Sequence, residues 1–370
     1  MSALSMLKKA DHDGDASRII AYAKLLADMR EFYEKYWDMP ADSVYQEVIK
    51  LLNAPEAIML AAALDADKRG LFDAAIHFVE IAIALSGSYR YEIELGALLG
   101  KRGEVQRARD ICNAVNRQHD DYMPALSELF MCDVYEYFWK RDYYDLFAEI
   151  HKNHQPRVYI EIGVASGKSL ALARTGARAL GIDPALAVQS SPLYHSPENA
   201  PQLYGMTSDD FFATIDVVKE IGQPSFDVAF IDGLHHFDQV LRDFINLEKF
   251  AGKDSVILIH DCLPVAPQVA TRERATAFWT GDVWRIIPCL QAVRPDLEIM
   301  TLPLAPAGLA VVRRLDASSR VLARHYTGIV EQFEQLELPE DWDERCRLLA
   351  VEQDESAFGL EQIIPAGGWS

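Results

Sequence analysis

The chain has 370 residues, half of them hydrophobic and a quarter charged, with a net charge of −20. That length exceeds one ordinary core, so two domains and a tail are expected, and the composition is globular rather than disordered or fibrous. The acidic balance, with no basic stripe to meet phosphates, excludes a nucleic-acid partner.

Residues 1 to about 140 read as helix throughout, rich in Ala, Leu, Glu and Arg at 3.6-residue apolar spacing. Lys68-Arg69-Gly70 followed by Ala74-Ala75 is echoed by Lys101-Arg102-Gly103 followed by Ala108. The interval resembles tetratricopeptide-type helical pairs, and an irregular helical bundle is the alternative. No N-terminal stretch is apolar enough for a signal peptide, and the longest apolar run, near Ile58 to Leu64, falls short of a membrane span. The five cysteines (Cys112, Cys132, Cys262, Cys289, Cys346) include no CxxC pair and read as reduced thiols. A soluble, cytoplasmic protein without a membrane partner is expected.

The texture changes near residue 141, where 141–315 reads as a second domain and 316–370 as C-terminal helices and tail. Tyr143 to Lys152 is helical, and Arg157 to Gly163 is a short β-rich run. Ser169 to Arg178 has helical pattern, and Ala179 to Asp183 is the next strand. Phe226 to Asp232 and Ser255 to Asp261 follow, each a continuous apolar run ending in an acid, as expected of strands buried on both faces. Alternating strands and helices imply an α/β domain with a doubly wound, mostly parallel sheet. Leu297 to Leu302 and Leu309 to Val312, around Pro303 and Pro306-Ala-Gly308, suggest a closing antiparallel strand.

Ligands bind at the carboxyl ends of the strands of such a sheet. Glu161, Asp183, Asp232 and Asp261 all fall at those ends, which defines a polar crevice. The turn Glu161-Ile-Gly163-Val-Ala-Ser-Gly167-Lys-Ser169 has glycines where backbone approaches a ligand, and Asp183 follows at the distance where a second-strand acid meets ribose hydroxyls. An adenosine-containing cofactor is indicated. A phosphate-binding loop would need glycine where Ile162 stands, and a dinucleotide turn would need glycines where Ala165 and Lys168 stand.

Four segments together resemble the class I methyltransferases, closest to the branch of macrocin-type sugar O-methyltransferases: Glu161 to Ser169, Gly181-Ile-Asp183-Pro184, Phe226 to His235, and His260-Asp261. The resemblance implies a seven-stranded sheet and S-adenosylmethionine as cofactor. It implies that Glu161, Gly163 and Ser169 hold the methionine end, that Asp183 holds the ribose, and that Ser208 and Asp209 lie beside the adenine. It also implies O-methylation of a hydroxyl on a small polyhydroxylated or glycoconjugate acceptor.

Metal-dependent relatives carry an acid ending the fourth strand, a histidine three residues on, and an acidic pair after the fifth strand. Asp232, His235 and Asp261 match, whereas His260 stands where relatives have a carboxylate. A divalent cation (magnesium or manganese) on Asp232, His260 and Asp261 is therefore one reading, and a metal-free site is the other. His235 is the candidate base, because an imidazole near its ordinary range can take a hydroxyl proton at neutral pH. Trp279 and Trp284 are candidates for pocket wall or core, and Cys262 reads as structural. The helical front suggests a protein partner or homo-oligomer, and a scaffold or sensor on a methyltransferase-like fold is the alternative function.

Overall fold

The computed structural model describes residues 55–119, 122–173, 176–187, 200–364 and 369. The helices expected before residue 55, and tail positions 365–368 and 370, lie outside the described residues. The chain divides into two compact units, Met1–Leu129 and Phe130–Ser370.

In the first unit, helices α1 (Pro55–Lys68), α2 (Phe72–Ser86), α3 (Tyr89–Arg102) and α4 (Val105–Gln118) pack each on the next. Ser88 caps α3 by accepting the Arg90 N–H. Helix α4 buries Ala108, Cys112 and Val115, one turn apart on a single stripe. Gly96 of α3 admits that stripe, since a Cβ there would stand 2.8 Å from the Cys112 Sγ. Helix α5 (Met123–Tyr137) contains the point of division.

The second unit is built on one seven-stranded sheet: β1 (Val158–Ile162), β2 (Arg178–Ile182), β3 (Gln202–Tyr204), β4 (Phe226–Ile231), β5 (Ala251–His260), β6 (Glu298–Leu302) and β7 (Leu309–Arg313). The spatial order is β3-β2-β1-β4-β5-β7-β6. Strands β1 to β5 are parallel, and β7 runs antiparallel to both β5 and β6. The expected doubly wound sheet, with its antiparallel closure, is present. The half-exposed edge strand β3 carries too weak an apolar pattern to be read from sequence.

Strand alternation sorts the core into two layers. Val158, Ile160 and Ile162 of β1 join Ile257 and Ile259 of β5 on one face. That face is covered by α7 (Ser208–Thr214), α8 (Val217–Ile221), α9 (Phe237–Glu248), α10 (Ile286–Val293) and α11 (Val321–Phe333). Tyr159, Val228, Phe230 and Leu258 point to the other face, under α6 (Tyr143–Glu149) and the chain end at Ile363, Ile364 and Trp369. Burial on both sides explains why the strands are unbroken apolar runs.

Two local expectations are corrected. The segment after Ser169 forms only a 3-10 turn over Leu170–Leu172, because Ala173 turns to an extended ψ of 130° and the chain heads into β2. Helix α6 ends at Glu149 and continues as a π-helical turn over Ile150–His154. Among the described residues no helix is long and apolar enough to cross a membrane. All five cysteines are buried, and none is in a disulfide.

The C-terminal helices join the second unit's core through Leu322, Ile329, Phe333 and Leu349. Arg345 of α12 (Trp342–Leu348) is 2% exposed and donates to the carbonyls of Pro264, Val265, Pro339 and Glu340. Removing it strands several buried acceptors at once. Arg345→Ala should cost about 3–5 kcal/mol in urea denaturation, and Arg345→Lys should recover only a small part, because one ammonium cannot span the fork. A loss under about 1 kcal/mol would mean that this guanidinium does not fasten the C-terminal helices.

Candidate active site

The strand order reverses between β1 and β4, which leaves a crevice beyond their carboxyl ends. There the two backbones nearly touch. Gly163 has φ +88°, and a Cβ on it would stand 1.9 Å from the Asp232 carbonyl oxygen, so only glycine closes β1 against β4. The Asp232 N–H donates to the Ile162 carbonyl, and the Gly163 N–H donates to that of Ile182. A cavity of about 460 Å³ opens over this junction, within the range of small-molecule sites.

Gly163, Ser169, Asp183, Ser208, Asp209, Asp232 and His235 all line that cavity. Glu161 lies beneath the lining. It is fully buried and accepts hydrogen bonds from the Ser169 Oγ and the Tyr159 hydroxyl, both at 2.7 Å. Glu161 therefore reaches the cavity only through Ser169. Asp183 shapes the turn after β1: one oxygen accepts the Val164 and Ala165 N–H groups at 2.9 and 2.8 Å, the other that of Ala185 at 2.7 Å. This grip holds Ala165 at φ +44°, unusual for a residue with a Cβ. Ser208, at the start of α7, donates to Asp243 on α9, while Asp209 is exposed.

His235 and Asp261 also sit in the left-handed region, at φ +59° and +60°. A clamp holds the histidine loop there. The Asp282 N–H donates to the His235 carbonyl, the Asp282 carboxylate accepts the Phe237 N–H that opens α9, and a Cβ on Gly281 would collide with the His235 carbonyl. Trp279 stacks on the His235 ring, with centroids 5.2 Å apart, without itself lining the cavity, whereas Trp284 belongs to the core. Cys262 is fully buried in that core.

Beneath the cavity, two carboxylates and two imidazoles converge. His235 Nε2 is 3.5 Å from Asp232 Oδ1, and its Nδ1 is 3.2 Å from Asp261 Oδ2. His260 Nδ1 is 3.4 Å from Asp232 Oδ1 and 3.2 Å from Asp261 Oδ2. His260 is buried beside the Tyr143 ring on α6. Burial works against charge on His260, but Asp261 and Asp232 outweigh it and push the ring up to about 10. The same carboxylates keep His235 above its ordinary value, again against burial. Asp232 is itself desolvated, yet the two rings hold its carboxyl well below the usual range.

The donor set fits a divalent ion by its geometry. Ligands sharing one ion with bonds of about 2.1 Å stand about 3.0–3.4 Å from each other; the two His260 Nδ1 spacings fall in this range, whereas the two His235 spacings come from different ring nitrogens, only one of which could bind an ion. The nitrogens also miss hydrogen-bond alignment: Nδ1 of His235 and both ring nitrogens of His260 are buried without a hydrogen-bond partner. Ligating atoms of Asp232, His235 and Asp261 lie within 4.8 Å of one another. His235 thus lies as close to the two carboxylates as His260 does, a proximity that the sequence reading did not give it.

Among the lining residues missed from sequence are Tyr143, Tyr144 and Asp243. Tyr143 and Tyr144 open α6, whose Asp142–Asp145 capping box fixes them at the cavity, and Asp243 looked like any polar residue on the amphipathic α9. Tyr143 is pushed up by burial and by Asp232, so it stays a neutral phenol.

Residues 160–262 match a family model described as a methyltransferase domain. Among solved structures, the chain is similar to the O-methyltransferase TomG from Streptomyces achromogenes in complex with SAM, at 17% identity, covering 47% of this chain and 80% of that one, with TM-score 0.36. An O-methyltransferase from Bacillus cereus in complex with SAH is 14% identical over 56% of this chain and 98% of that one, with TM-score 0.33. The SAH-bound methyltransferase PaMTH1 from Podospora anserina is 14% identical over 56% and 88% of the two chains, with TM-score 0.35. No curated protein matches the chain. The match to a methyltransferase domain thus falls within the second unit, on its seven-stranded sheet.

Burial pushes Glu161 up to about 8, against the pull of the Ser169 and Tyr159 hydroxyls. The folded chain therefore binds this proton more tightly than the unfolded chain, whose value is near 4.5. Stability from this group is full below that value and is lost as pH climbs toward 8. Glu161→Gln should flatten the fall in melting temperature between pH 6 and pH 9 by roughly 2–4 °C. Parallel curves for the two proteins would show that Glu161 is not held as the neutral acid.

Proposed function

We propose that this chain is an S-adenosylmethionine-dependent methyltransferase acting on a hydroxyl of a small polyhydroxylated or sugar-containing acceptor. The observation that carries this reading is the cavity at the strand ends, lined by Asp183, Asp232 and Asp243 with buried Glu161 beneath it, in a segment that matches a methyltransferase domain. Buried carboxylates are expensive unless they serve a ligand or are hydrogen-bonded, and this set offers both.

In this reading the turn after β1 and Ser169 receive the methionine end, and Asp183 keeps lone pairs free for ribose hydroxyls. Ser208 and Asp209 border the base. S-adenosylmethionine, when bound, supplies a methyl group on a sulfonium, ready for one in-line displacement. The acceptor hydroxyl is held over Asp232 and His235, and in the metal-free form of this reading His235 takes its proton. A divalent ion, if held by Asp232, His235, His260 and Asp261, would supply a Lewis acid for the acceptor hydroxyl and would engage the His235 ring, so that the proton would then leave to solvent rather than to His235. With two imidazoles among four ligands, manganese suits the set better than magnesium, which prefers oxygen. The class of acceptor rests on the sequence resemblance.

Calorimetric titration with S-adenosylhomocysteine tests the cofactor assignment without needing the acceptor. Asp183→Ala should weaken binding about tenfold or more, the worth of one charge-assisted hydrogen bond, and should also loosen the 164–165 turn. Unchanged affinity in a folded variant would remove Asp183 from the site. For the cradle, the native chain should bind Mn²⁺ by electron paramagnetic resonance and Asp261→Ala should not, with S-adenosylhomocysteine affinity kept. Equal Mn²⁺ spectra for both proteins would dismiss the cradle and leave His235 as a base alone.

A further inference from the structure

Asp243 is 1% exposed, yet it lines the cavity from below. Its Oδ1 accepts from the Ser208 Oγ at 2.5 Å and from the Gln239 Nε2 at 3.0 Å. Its Oδ2 has no hydrogen-bond partner among the described residues. That oxygen lies toward Gly233, where a Cβ would stand 3.9 Å away. Gly233 itself lines the cavity next to Asp232, so the unused oxygen borders the end defined by Ser208 and Gly233. A buried acceptor left bare is destabilising. A ligand that brings a donor there recovers this loss.

We propose that Asp243 selects the base of the cofactor: its Oδ2 accepts a hydrogen bond from the exocyclic amine of adenine and makes the cavity specific for adenosine compounds over inosine compounds. This rests on the adenosine-cofactor reading above. Burial leaves the Asp243 carboxyl at about 7, poised so that a bound amine favours its ionised, accepting form. Hypoxanthine presents a carbonyl oxygen where adenine presents the amine, so acceptor would face acceptor, a repulsive means of discrimination. Exposed Asp209 is less able to discriminate, because water competes for its oxygens.

The hydrogen bonds to Oδ1 sharpen the test. Both neighbours donate there, so in Asp243→Asn the amide oxygen must take that position and the NH2 group must replace Oδ2. The variant then offers a donor where the native residue offers an acceptor. S-adenosylhomocysteine and S-inosylhomocysteine are titrated calorimetrically into the native full chain and into Asp243→Asn, with folding checked by circular dichroism. The native chain should prefer the adenosyl ligand at least tenfold, and the variant should lose that preference or invert it. Should the amide not be tolerated in the fold, Asp243→Ser, which leaves room for water, should bring the ratio close to one. A native chain that binds both ligands equally, or a folded variant that keeps the native ratio, overturns the assignment while leaving the cofactor reading in place. A native chain that binds neither overturns both.

Discussion

The contact between Gly163 and the Asp232 carbonyl is the constraint on which the site depends. Parallel strands at a reversal point diverge into their crossovers, and here β1 and β4 stay together one residue longer, because Gly163 has no Cβ and takes a left-handed turn. That closeness places Asp183 within reach of the Val164 and Ala165 N–H groups and brings Asp232 over the His260–Asp261 corner. A side chain at 163 would separate the two strand ends and take the cavity floor apart.

Charge is handled locally throughout this floor. Glu161 is met by two hydroxyls, Asp183 by three backbone N–H groups, and Asp232 and Asp261 by two imidazole rings. Asp243 keeps one oxygen without a hydrogen-bond partner among the described residues. Each acid is thus partnered according to its neighbourhood, which is why their ionisation differs so widely: Glu161 is up, Asp232 is down. Left-handed backbone at Ala165, His235 and Asp261 accompanies the same floor, and such strain persists only where surrounding contacts over-determine it. At His235 those contacts are the Gly281–Asp282 clamp and the Trp279 ring.

Much of this was legible in the sequence because parallel strands buried on both faces write themselves as apolar runs, and each run here ends in a chemically useful residue. Glu161, Asp183, Asp232 and His260-Asp261 mark four strand ends, and the structure brings all of them to one edge. The 3-10 turn after Ser169 was not legible, since its alanines and leucines favour helix and a short tertiary path into β2 overrides them. Edge strand β3 lacks the two-faced burial that makes the others visible. Asp243 was hidden for a different reason. On α9 it sits among polar residues at helical spacing, and only the fold reveals that its turn of the helix faces the cavity. Nor could spacing show that His235 and His260 approach the same two carboxylates.

The most direct measurement is a crystal structure of the full chain grown with S-adenosylhomocysteine and Mn²⁺, with anomalous scattering recorded at the manganese edge. The expected result is a nucleoside lying along the cavity with its ribose hydroxyls at Asp183, and one anomalous peak within bonding distance of both Asp232 and Asp261. A cavity without the nucleoside, or a nucleoside bound elsewhere with Asp183 facing only its own turn, would contradict the assignment of this strand-end row as a methyl-donor site.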